Sequence, residues 1–143
     1  MKIYSVPARC LLTGVAALLL AACGRSDTAS FMIGGNDVAL TLERIKEYAW
    51  NDGWELELIV RNFPECQRRY KLKAAGTDTI KVELYSPEPY VFIIKQGKRW
   101  YVTEAKNCQF QMFKEPPPQP GDLIGTFLEN GKGFTFVQKA EAR

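Results

Sequence analysis

The sequence predicts an all-β fold, a small antiparallel sandwich or barrel of roughly seven or eight strands, and three observations carry that expectation. Apolar and polar side chains alternate over residues 54–61, 80–85 and 108–112, the two-residue period of a strand with one dry face. Clusters of Gly, Asn and Asp interrupt these runs at short, near-regular intervals. Several of them, Asn51-Asp52-Gly53, Lys95-Gln96-Gly97-Lys98 and Asn130-Gly131-Lys132, have hairpin chemistry. With 46% hydrophobic and 24% charged residues the chain is composed like a folded domain rather than a disordered one, and no internal repeat divides it.

Taken from the start, residues 1–22 have the parts of an export signal. Lys2 and Arg9 give a basic beginning without acids, Leu11 to Leu20 is apolar, and Ala21-Ala22 offers small side chains to a protease. The apolar run falls short of the roughly 20 residues needed to span hydrocarbon. The stretch Leu20-Ala21-Ala22-Cys23 resembles the lipobox of bacterial lipoproteins. That resemblance implies cleavage before Cys23 and acylation of Cys23 as the new N-terminus. One acyl chain holds a protein only marginally and stable attachment needs two or more; members of the class typically carry three. An Asp after the acylated Cys is that class's inner-membrane signal, and Gly24 and Arg25 stand there instead, so the resemblance implies the outer membrane, facing the periplasm. Three parts follow: a signal peptide at 1–22, a lipidated N-terminus and short linker at 23–30, and a single β domain at 31–143. The small, polar run from Gly24 to Ser30 has linker composition and would reach roughly 15 Å.

Within the domain, Phe31-Met32-Ile33 precedes the turn cluster Gly34-Gly35-Asn36-Asp37, and Val38, Leu40 and Leu42 then alternate as a strand. Through Ile45 and Tyr48 a helical stripe competes with a bulged or bent strand, and the neighbouring β patterns favour the strand. Asn51-Asp52-Gly53 suits a bulged hairpin that brings Trp50 and Trp54 together, either as a structural aromatic clasp or as a stacking platform for sugar rings or a partner side chain. Trp54, Leu56, Leu58 and Val60 form the dry face of the next strand, with Glu55 and Glu57 on the solvated side. Cys66 to Lys73 holds the one concentrated basic patch, Arg68, Arg69, Lys71 and Lys73. Two roles suit it: an edge strand guarded by positive charge, or a contact for an acidic partner or anionic headgroups. The edge role is preferred because the chain as a whole is close to neutral.

Clean alternation from Ile80 to Tyr85 ends at Pro87 and Pro89; residues 90–94 and 99–103 flank a hairpin turn; Cys108, Phe110 and Met112 share a face; and residues 123–129 and 133–137 close the chain as a last hairpin. Between the last two units, Glu115-Pro116-Pro117-Pro118-Gln119-Pro120-Gly121-Asp122 cannot join a ladder. It reads as a stiff spacer crossing between sheets, or as a docking site for a proline-binding partner.

Of four cysteines, Cys10 leaves with the signal and Cys23 is taken by lipid, so Cys66 and Cys108 remain. In an oxidising periplasm an isolated pair forms a disulfide. A metal or redox pair is disfavoured because the chain has no histidine and no Cys-x-x-Cys spacing.

Several functions are disfavoured by what the sequence lacks. Without histidine there is no Ser-His or Cys-His pair and no imidazole acid-base group, no phosphate-cradling or calcium loop is present, and no spacing nominates a carboxylate or lysine mechanism. A non-enzyme without cofactor or metal is expected. Of 19 basic residues, Lys2 and Arg9 leave with the signal, so 17 face 16 acidic ones; a charge of +1 without a basic stripe argues against nucleic acid. The leading expectation is a non-catalytic interaction or accessory module of the cell envelope with a protein partner. A small-ligand or glycan binder using Trp50 and Trp54, and an inhibitor of an attacking hydrolase such as lysozyme, are the alternatives, the last by analogy of fold alone.

Overall fold

The computed structural model describes residues 23–140, so the expected signal peptide lies outside the described residues. Ten strands form two antiparallel sheets. The smaller contains β1 (Cys23–Gly34), β2 (Val38–Tyr48), β3 (Glu55–Asn62) and β4 (Cys66–Lys71) in sequence order. The larger contains β5 (Lys81–Glu88), β6 (Val91–Gln96), β7 (Arg99–Glu104), β8 (Gln109–Met112), β9 (Asp122–Asn130) and β10 (Gly133–Gln138), in the order β10-β9-β5-β6-β7-β8. The architecture is a small sandwich. It has ten strands among the described residues rather than seven or eight.

Alternation places Leu40 and Leu42, then Leu56, Leu58 and Val60, against Val82, Leu84, Phe92, Ile94, Tyr101 and Phe127 of the larger sheet. Each fully buried aliphatic or aromatic side chain contributes roughly 1.5–3 kcal/mol of burial. Two of the expected hairpin turns fall where the sequence puts them: Gln96 pairs with Arg99 around Gly97, whose φ of 59° suits glycine, and Asn130 pairs with Gly133.

Both sides of the sandwich are closed. On one side β1 lies along β10, with the Phe31 and Phe136 rings 5.1 Å apart. On the other, the edge strands β4 and β8 are joined by the expected Cys66–Cys108 disulfide, across 6.1 Å between Cα atoms, and by the stacked rings of Tyr70 and Phe110 at 4.6 Å. Cys108 is buried as expected, but it sits in the turn before β8 at φ 53° rather than within a strand.

Two expectations about the connecting segments also require correction. Residues 24–30 are not a linker: β1 begins at Cys23, which pairs with Tyr48, and Ala29 is buried in the core. Gly24 belongs to that ladder by necessity, since a Cβ there would overlap the Lys46 and Glu47 carbonyl oxygens. The proline segment does not cross between sheets. It joins β8 to β9 within the larger sheet, from the level of Trp100, whose carbonyl accepts from Phe113 N–H, to the level of Ser86, which pairs with Asp122. That path is about 19 Å across four strand spacings and about 10 Å along the strands. Nine extended residues, 113–121, reach about 28 Å and so cover it. Ile93 alternates with the inward Phe92 and Ile94 and so points to the outer face of this sheet, yet it is only 4% exposed.

Candidate functional site

The basic strand is an edge strand, as expected: β4 has β3 on one side and no further strand in its sheet on the other. Its charges divide by parity. Arg69 and Lys71 point to the outer face, where Arg69 donates to Glu43 at 2.6 Å and Glu57 at 3.3 Å and Lys71 lies 3.9 Å from Glu55. Hydrogen bonds from Arg69 to Glu43 and Glu57 hold its guanidinium even more firmly protonated than usual. Glu55 and Glu57, solvated in the sequence reading, are thus partners of the basic strand. Arg68 shares the inward parity of Cys66 and Tyr70 but stays exposed at the rim, an arrangement that discourages strand addition. Lys73 lies beyond the strand, with its carbonyl accepting from Gln96 Nε2 at 2.6 Å. The patch is therefore half neutralised internally, with Arg68 and Lys73 free of carboxylates within 4.0 Å among the described residues.

The two tryptophans are not brought together as a clasp. β2 and β3 pair only from Ile45 and Glu55 onward, so residues 46–54 separate them where a three-residue turn was expected. Trp50 is 67% exposed and stacks on Tyr48 with the rings 5.0 Å apart and nearly parallel. Trp54 bridges to Gly76 and is half-buried under three cations: Arg44 at 4.4 Å, Lys46 at 4.6 Å and Arg25 at 5.8 Å. A two-ring sugar platform is not what this places at the surface.

Arg44, absent from the sequence reading, is the centre of that cationic cluster. It continues the inward series Leu40, Leu42, and at 2% exposure it is one of two buried polar residues among the described ones. Its Nε donates to Asp27 at 2.9 Å and its Nη1 and Nη2 to Glu129 at 2.6 and 3.3 Å, while Trp54 and Phe134 cover its faces. The guanidinium thus ties β1 and β2 to β9 across the two sheets. Burial alone would raise the Asp27 carboxyl, and the hydrogen bonds from Arg44 and Arg25 outweigh it, leaving that group below the usual carboxylate range. Strict period two extended past Leu42 is the signal that could have found Arg44.

The sandwich ends differ. At one end lie Cys23, Tyr48, Trp50 and the turn at Gly97. At the opposite end, the β3–β4 turn, the β5–β6 turn and the loop after β7 are tied together. Asn62 Nδ2 donates to Lys106 O at 2.9 Å, Ala105 N–H to Tyr90 O at 2.8 Å, and Phe63 N–H to Asp37 O at 2.9 Å. The Glu104 carboxylate accepts from Lys106 N–H and from Asn107 at 2.8–3.0 Å, and the disulfide adds a covalent brace. This frame presents Phe63, 48% exposed with Arg61 at 5.6 Å from its ring, and Tyr90, 37% exposed with Lys106 at 5.1 Å. Tyr90 is held at φ 62°, a left-handed conformation that costs a tyrosine free energy and fixes where its ring points. The sequence reading passed over both rings because each sits singly in a turn.

Among the described residues no group of three His, Cys, Asp or Glu side chains is gathered for a metal. A surface groove of about 720 Å³ opens at the Cys23 end and is lined by Lys73, Lys98 and Arg99 among others. No protein-family model matches the chain, and no curated protein and no solved structure is significantly similar to it, so the chain's own residues carry the functional argument.

Proposed function

We propose that this chain is a lipid-anchored, non-catalytic interaction module of the bacterial cell envelope, attached through Cys23 to the outer membrane and facing the periplasm, with an envelope protein as its partner. The observation that carries the interaction is the braced end opposite Cys23, where Phe63 and Tyr90 are exposed on turns joined by hydrogen bonds and a disulfide. Aromatic rings flanked by Arg and Lys, already fixed before binding, are the composition and rigidity of an interface centre. A domain tethered at one end leaves the other end free to meet a partner.

Export supports the same reading through the lipobox-like stretch and a disulfide suited to an oxidising compartment. The half-neutralised basic strand is assigned to guarding an edge rather than to the partner.

Affinity capture from detergent-solubilised envelopes tests the interaction, comparing the native chain with a Phe63→Ser, Tyr90→Ser variant. Both positions are exposed, so the variant is expected to keep its thermal stability. Loss of a captured protein from the variant alone is expected, and truncating one central interface aromatic costs about 2 kcal/mol or more, at least thirtyfold in affinity. Identical capture by both chains, at equal stability, would count against this surface.

A further inference from the structure

We infer that the Cys23 end of the sandwich docks onto the bilayer surface itself, with the Tyr48–Trp50 stack entering the headgroup region and Lys73, Lys98 and Arg99 meeting the phosphates of anionic lipids. The inference deepens the proposed anchoring and rests on it. Its starting point is that no linker intervenes: Cys23 is opposite Tyr48 in the β1–β2 ladder, so acyl chains on Cys23 would be attached one strand spacing, about 5 Å, from the Tyr48 backbone.

The surface that this brings to the membrane is continuous. From Cys23 it passes to Tyr48 and its stacked neighbour Trp50, whose indole is the most exposed large apolar side chain among the described residues. The loop then reaches Trp54, which exchanges backbone hydrogen bonds with Ala75 and Gly76 at 2.8–3.2 Å. Ala75 lines the groove, whose cations are Lys73, Lys81, Lys95, Lys98 and Arg99 and whose acids are Asp78 and Glu83. Glu83 is occupied by Lys81 at 3.4 Å, Lys95 at 4.0 Å and the Tyr85 hydroxyl at 2.6 Å. Lys73, Lys98 and Arg99 are exposed and have no carboxylate within 4.0 Å among the described residues, leaving Asp78 as the unpaired acid of the rim. Glu47 and Asp52 are exposed in or beside the aromatic loop. Trp and Tyr favour the membrane–water interface because an apolar ring and a polar tip are satisfied there together. Cations near an anionic surface add attraction. Both requirements occur on the end that Cys23 would hold against lipid.

The test uses the full acylated protein reconstituted into vesicles of phosphatidylglycerol with phosphatidylcholine, or of phosphatidylcholine alone, with brominated acyl chains as a fluorescence quencher. The Trp50 signal is isolated as the difference between the native chain and Trp50→Phe. In the anionic vesicles that signal is expected to shift to the blue and be quenched. Neutralising Lys73, Lys98 and Arg99 with Gln should lower the ratio of docked to undocked protein about fivefold for each charge removed. Inorganic phosphate should release the docked end no better than chloride of equal ionic strength; selective release by phosphate would overturn lipid in favour of free phosphate as the ligand. Co-sedimentation reports the anchor separately. Acylated protein that co-sediments while its Trp50 signal stays unquenched overturns docking and leaves the anchor standing. Protein that lacks acyl chains yet binds anionic vesicles with Trp50 quenched supports docking and removes the anchor, and protein that does neither overturns both.

Discussion

Replacing Arg44 with Ala is expected to lower the stability of the folded domain by about 1.5–3 kcal/mol, the range for losing hydrogen bonds to charged groups, to which the lost packing of the arginine stem adds. The change strips Asp27 and Glu129 of the guanidinium they share and leaves space between the Trp54 and Phe134 faces at the junction of the two sheets. Glu129 is largely exposed and can return to water, so most of the loss falls on the buried arginine site and on Asp27. Denaturant unfolding at neutral pH measures it. A difference under about 1 kcal/mol would place the pair with ordinary surface ion pairs instead.

The same cluster has a signature in pH. The Asp27 carboxyl titrates lower in the folded chain than in the unfolded one. Its contribution is therefore fully present above the unfolded value of about 4 and is lost as pH falls through the lower folded value. Native stability should decline on acidification across that window, and Arg44→Ala should flatten the decline, because Asp27 then keeps only Arg25 to hold it down.

Removing the disulfide is the second large effect. Cys66 and Cys108 are 42 residues apart, and a loop of that length is worth about 4 kcal/mol on the chain-entropy account. The variant Cys66→Ala, Cys108→Ala should melt roughly 10–20 °C lower, as read by circular dichroism. The β4–β8 side and the loops carrying Phe63 and Tyr90 should lose amide protection before the β1–β10 side does. In the native protein, denatured without reductant, a thiol assay should find neither Cys66 nor Cys108 free. Reactive thiols at both positions would show that the bridge does not form in the native protein.

How far the sequence carried these conclusions differs from element to element. The alternation of Trp54, Leu56, Leu58 and Val60 and the Gly97 and Asn130-Gly131 turns were legible because burial of one strand face and the demands of a tight turn both act locally. The pairing of Cys66 with Cys108 followed from compartment and count. Arg44 was missed because a reading that tracks apolar residues stops at a charge, although the backbone period that buries Leu40 and Leu42 does not. Residues 24–30 looked like a linker because the small and polar side chains of an edge strand resemble those of a flexible one. Only Ala29, in phase with Phe31 and Ile33, marks the strand.

The Trp50–Trp54 hairpin failed for a non-local reason. β2 keeps pairing with β1 past the point where β3 leaves it, and Trp54 bridges to Gly76 instead. Likewise, whether the proline segment crosses between sheets or within one depends on strand order, which no residue in the segment encodes. The exposed pair Phe63 and Tyr90 becomes a site only when the fold brings two turns to the same end.

Acylation of Cys23 is the claim on which the anchored reading depends. Intact mass spectrometry of the protein extracted from membranes by detergent addresses it directly. The account predicts a chain that begins at Cys23 and carries added acyl mass, and a Cys23→Ser protein that remains unprocessed and unacylated. Normal maturation of Cys23→Ser, or a native chain whose Cys23 carries no lipid, would contradict it.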